Sequence, residues 1–71
     1  MDWARIQADW AHYKQLAGRR WARVSMADLD IIAGRRELLA AHIQQTYGIS
    51  KNAAQMQLES WQGQQREPDA A

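Results

Sequence analysis

The segment Ser25–Gly48, S-M-A-D-L-D-I-I-A-G-R-R-E-L-L-A-A-H-I-Q-Q-T-Y-G, carries the punctuation that decides the fold. Ser25 stands three residues before Asp28, the spacing of an N-cap and an aspartate variant of the capping box, and Val24 and Leu29 are placed to staple across that cap. A short helix over 26–33 follows, with Leu29, Ile32 and Ala33 on its inner side and Asp28 and Asp30 near its N-terminal dipole. Leu39, Ile43 and Tyr47 then form an i, i+4, i+8 line that ends at Gly48, the residue type favoured just past a helix end. Gly34 between the two series reads as a sharp bend, giving separate helices at 26–33 and 35–47. A straight helix over 26–47 is the competing reading.

The N-terminal side opens with Asp2 as a cap and continues with Trp3, Ile6, Trp10, Tyr13, Ala17 and Trp21. At about 100° per residue these apolar positions fall within an arc of roughly 80°. The stripe predicts one helix over 3–22, running through Gly18 although an interior glycine costs about 1 kcal/mol relative to alanine; a break at Gly18 is the alternative. On the C-terminal side, Ile49 and Ser50 repeat the staple and cap, starting a helix over 51–62 with Ala54, Leu58 and Trp61 facing inward and Met56 outward. Residues 63–71, with Gly63, Pro68 and no large apolar side chain, read as a flexible tail after a single domain over 1–62.

The 71 residues place the chain where one core supplies only a few kcal/mol of net stability, and four tryptophans provide much of the area to bury. The absence of cysteine excludes a disulfide framework, a thiolate nucleophile and a thiolate metal site. No apolar run has the length of a signal peptide or membrane span, so the expected location is the cytoplasm. Nine Lys and Arg against eight Asp and Glu leave a net charge of +1, too little for the whole molecule to attract nucleic acid or anionic lipid. The pattern is all-α: four helices with tight connections in a small orthogonal bundle.

The run D-L-D-I-I-A-G-R-R-E-L-L-A-A-H-I-Q-Q-T-Y-G-I-S-K-N-A-A-Q, preceded by Trp10, Tyr13 and Trp21 and followed by Trp61, resembles the CsbD-like family of small bacterial stress-response proteins. Gly34, Arg36, Leu39, Ile43, Gln44, Tyr47, Gly48 and Ile49 lie in register with the family pattern I-x-G-K-R-x-x-L-x-x-x-I-Q-x-x-Y-G, and the similarity spans residues 3 to 61. The chain departs from the family at Gln15 and Ala22, where glycines are usual, and has Ala11, Ala17 and Ala22 in a stretch where the family carries many lysines. The resemblance implies a SAM-domain-like arrangement of two roughly orthogonal helical hairpins and a role in general stress response. It implies no catalytic or ligand-binding residues.

His12 and His42 are the only imidazoles and share no metal-ligand spacing. Asp9 lies three residues before His12, but a metal site needs three or four ligands. Ser25 and Ser50 serve as caps, the glycines form no phosphate loop, and a chain this short has little room for a deep cleft. The reading is therefore no enzyme, no cofactor and no metal: a small stress-response protein acting through its surface, as monomer or weak homo-oligomer, with protein or nucleic acid as partner and no stable membrane insertion.

Two alternatives use the charged surface. Arg5, His12, Arg19 and Arg23 project within roughly 40° of one another opposite the apolar stripe. Together with Arg20, Arg35 and Arg36 these arginines form a possible nucleic-acid or anion surface around the end of the first helix and the bend at Gly34. The blander reading is a solvated face, with Arg36 laid over the core and paired with an acid such as Asp28. The tryptophan stripe with its arginine back could also lie on an anionic membrane, although a face of that kind more often covers a core.

Overall fold

A computed structural model describes residues 2–65. Among them the chain forms five helices: α1 (Trp3–Ala8), α2 (Trp10–Arg20), α3 (Met26–Ile32), α4 (Arg36–Tyr47) and α5 (Lys51–Gln64). No strand occurs among the described residues. The fold class is all-α as the periodicity predicts, but with five helices where four were expected.

The extra helix arises because the first predicted helix divides, at Asp9 and not at Gly18. Asp9 leaves the helical region (φ −116°, ψ 44°) and its carbonyl accepts from the amides of His12 and Tyr13, restarting the helix as α2. The break has a tertiary cause. The Trp3 indole donates to the Gly34 carbonyl at 2.8 Å, and a Cβ placed on Gly34 would lie 3.0 Å from the Cα of Gln7. Trp10 donates to the carbonyl of Leu29 at 2.9 Å. The first two turns are thus clamped on the α3–α4 bend while α2 runs along α3. Aspartate gives up a helix interior at little cost, and Asp9 is where the direction changes. Gly18 stays helical inside α2, opposite Met26 and Leu29.

Gly34 does bend the chain, which rules out the straight 26–47 helix, and it does so with its neighbour. Ala33 (φ 53°) and Gly34 (φ 80°) both adopt left-handed conformations, and the Arg35 amide then bonds the Ile32 carbonyl at 3.0 Å. Ala33 therefore caps α3 and is exposed; its expected place on the inner face is corrected.

The three other signals hold as read. Ser25 Oγ accepts from the Asp28 amide and Ser50 Oγ from the Ala53 amide, each at 3.1 Å. At Gly48 (φ 64°) the Ile49 amide reaches back to the Gln44 carbonyl at 3.2 Å, the long bond of a Schellman-type end. Asp2 occupies the N-cap position of α1, but its backbone carbonyl, not its side chain, receives the first helical bonds. α5 continues through Gly63 to Gln64, two residues past its expected end, and residues 66–71 of the expected tail lie outside the described residues.

The core is one cluster: Ile6, Trp10, Tyr13, Ala17 and Trp21 from the predicted stripe, Val24, Leu29 and Ile32, then Leu39, Ala40, Ile43, Ala54, Leu58 and Trp61. Trp61 stacks between Trp3 (centroids 5.9 Å apart, edge-on) and Trp21 (5.5 Å, tilted), joining both ends of the chain across the interior. Tyr47 and Ile49 pack half-buried at its margin.

Candidate functional site

The sequence nominates Arg5, Arg19, Arg20, Arg23, Arg35 and Arg36, and the helices distribute them to three places. Arg5 lies on α1, on the other side of the break at Asp9 from α2, so the helical projection that aligned it with His12, Arg19 and Arg23 does not hold. Arg19 and Arg20 form the last turn of α2, and Arg23 follows in the turn to α3. Arg35 and Arg36 open α4.

α4 separates the second group from the third. The amide of Arg23 donates to the Tyr47 hydroxyl at 3.1 Å, and its guanidinium lies 5.8 Å from the Tyr47 ring centre, which puts Arg23 at the C-terminal end of α4. Arg36 is the first residue of the same helix, about 16 Å away along the axis at 1.5 Å per residue. The single patch joining Arg19, Arg20 and Arg23 to Arg35 and Arg36 is therefore two separate groups.

Arg36 is half-buried and donates to the side-chain amide oxygen of Gln55, tying α4 to α5; its partner is this amide and not Asp28. It stands between two shallow depressions. One, of about 540 Å³, is lined by Asp2, Trp3, Glu59, Gln62 and Gly63 with Arg36. The other, of about 520 Å³, runs between α4 and α5 past Ala40, Gln44, Lys51 and Gln55. Glu37 lines the second depression as well, a carboxylate in the same groove as the Lys51 amine.

Several other polar side chains are engaged in structure. The Ser25 and Ser50 hydroxyls are caps, the Trp21 indole donates to Gln57 at 3.0 Å, and Lys14 pairs with Asp30 at 2.7 Å on the surface. His12 is exposed with its ring edge-on to Tyr13, centroids 4.9 Å apart, and His42 is half-buried on α4. Among the described residues no three of His, Asp and Glu gather as a metal-ligand set. No described helix is long and apolar enough to cross a membrane. Within the tryptophan stripe, Trp10 and Trp21 are buried and Trp3 is half-buried.

The Gln55 and Gln57 partnerships of Arg36 and Trp21 were not foreseen. Glutamines on a polar helix face carry no pattern from which such a role can be read.

The fold thus defines a small all-helical module whose indole, hydroxyl and amide groups hold its helices together and whose free charge lies on its surface. The chain belongs to the UPF0337 family, the CsbD-like proteins. It is 33% identical over 61 residues to a UPF0337 protein of Rhodopseudomonas palustris, covering 86% of this chain and 92% of the relative. A UPF0337 protein of Agrobacterium fabrum is 35% identical over 65 residues, 92% of this chain and 97% of the relative. UPF0337 protein YjbJ of Escherichia coli K12 is 30% identical over 54 residues, 76% and 78% of the two chains. No family model matches the chain, and no solved structure matches it.

Proposed function

We propose that the protein is a non-enzymatic stress-response protein that works through contacts made by its folded surface. The observation that carries this reading is the use of its polar side chains: the hydroxyls of Ser25, Ser50 and Tyr47, the indoles of Trp3, Trp10 and Trp21 and the guanidinium of Arg36 all bond within the fold. A nucleophile must be free and beside a base to act, and these groups are fixed as clamps and caps. Membership of the UPF0337 family adds the stress-response context that the sequence resemblance implies. The pairing of α2 with α3 and of α4 with α5 fits the two-hairpin, SAM-domain-like arrangement, which forms part of the proposal.

The test has two arms. A bacterium deleted for its UPF0337 protein is expected to survive osmotic stress less well and to recover when this chain is supplied. The purified chain is expected to turn over nothing in an unbiased metabolite screen. Turnover abolished by Arg36→Gln or His42→Ala would overturn the non-enzymatic reading.

A further inference from the structure

The end of α2 concentrates positive charge in a way that the net charge of +1 conceals. Arg19, Arg20 and Arg23 fall within five residues, all exposed, and among the described residues none of the three forms an ion pair. The nearest acid along the chain, Asp28, lies in the first turn of α3 with its amide bound to Ser25. The α2 dipole accounts for a cation in its last turn, which Arg19 and Arg20 supply; Arg23 lies beyond the helix and is not called for on that ground.

Two of the three guanidiniums lie over aromatic rings. Arg20 lies 5.3 Å from the Trp21 ring centre and Arg23 lies 5.8 Å from that of Tyr47, with the Arg23 backbone pinned to the Tyr47 hydroxyl. A guanidinium resting on an aromatic face keeps its N–H fork directed outward and loses less freedom on binding, the preparation that suits phosphate oxygens.

We propose that Arg19, Arg20 and Arg23 form a docking surface for the phosphate backbone of duplex nucleic acid, an inference that rests on the surface-acting reading above. The surroundings favour a duplex over other polyanions. Trp21 is fully buried and Tyr47 half-buried beneath Arg23, so no open aromatic platform is offered for unpaired bases to stack on. A lipid surface calls for several apolar side chains inserted beside the cations, and of the exposed large ones Met26 alone follows this turn directly, at the start of α3, while Ile31, Leu38 and Met56 lie further along α3, α4 and α5. Backbone contact of this kind carries no base specificity.

Three phosphate contacts predict a log-log salt slope of about −2.7 on B-DNA, so affinity should fall about fortyfold between 50 and 200 mM salt. The experiment is fluorescence anisotropy of a labelled 20-base-pair DNA duplex titrated with the full chain, in parallel with sedimentation on vesicles of three parts anionic to seven parts zwitterionic lipid. The expected result is duplex binding whose slope shrinks by about 0.9 in Arg19→Gln and again by about 0.9 in Arg19→Gln/Arg23→Gln, and is unchanged in Arg35→Gln. Circular dichroism confirms that each variant is folded. Absence of duplex binding at 20 mM salt, an equal loss in Arg35→Gln, or binding to vesicles alone overturns the proposal. Any of these would leave the non-enzymatic reading standing, because that reading fails only on turnover or on the stress phenotype.

Discussion

At Ala33 and Gly34 two adjacent residues share one backbone conformation and need different side chains. Ala33 (φ 53°) is exposed, and its left-handed conformation costs roughly 1–2 kcal/mol for an L-residue with a Cβ. Glycine removes that cost but gains freedom in the unfolded chain, so Ala33→Gly should stabilise the protein by about 0.5–1 kcal/mol. Gly34 (φ 80°) is buried against Gln7, where an added Cβ would meet the Cα at 3.0 Å. Gly34→Ala adds that clash to the conformational cost, about 2–4 kcal/mol in all, and also pushes the bend away from Trp3. Thermal melts should therefore move in opposite directions for the two substitutions; an unchanged midpoint in Gly34→Ala would show that α1 does not close on the bend.

At the scale of the helices, Gly18 gives the complementary case. It lies inside α2, and a Cβ there would meet Met26 Sδ at 3.4 Å and Leu29 Cδ1 at 3.5 Å, ordinary contact distances. Gly18→Ala should then realise most of the helix-propensity gain, about 0.5–1 kcal/mol, measured as a raised denaturant midpoint with unchanged slope. Loss of stability would mean that α2 and α3 approach more closely than this.

The helix ends at Ser25, Ser50 and Gly48 were legible because each is fixed by bonds within a few residues of itself. The break at Asp9 was not, because Trp3, Ile6, Trp10 and Tyr13 keep helical spacing across it and its cause, the bond from Trp3 to Gly34, spans 31 residues. The same long-range event undid the arginine projection. Arg5 aligned with Arg19 and Arg23 only on an unbroken helix, and the distance between Arg23 and Arg36 was settled by which end of α4 each one reaches.

Across the whole molecule, stability depends on a few aromatic residues that each serve two elements. Trp61 touches Trp3 and Trp21, and Tyr47 joins α4 to the turn after α2 by its hydroxyl and its ring. A domain of this size has only about 5 kcal/mol to lose. Tyr47→Ala, at a half-buried site, should cost about 2–4 kcal/mol and lower the thermal midpoint by roughly 10–30 °C, whereas Tyr47→Phe, which keeps the ring and loses the hydroxyl, should cost about 1 kcal/mol. Far-ultraviolet circular dichroism against temperature separates the two, and a wild-type midpoint in Tyr47→Ala would remove Tyr47 from the packing.

The central proposal is that a folded surface, and not a catalytic centre, does the work, with the arginines at the end of α2 as its active part. Complementation tests it most directly: a bacterium lacking its own UPF0337 protein is given the wild-type chain, Arg35→Gln or Arg19→Gln/Arg23→Gln, and survival after osmotic stress is counted. Wild type and Arg35→Gln should restore survival, and the double variant should fail to do so while melting at the wild-type temperature. Full rescue by the double variant would contradict the account.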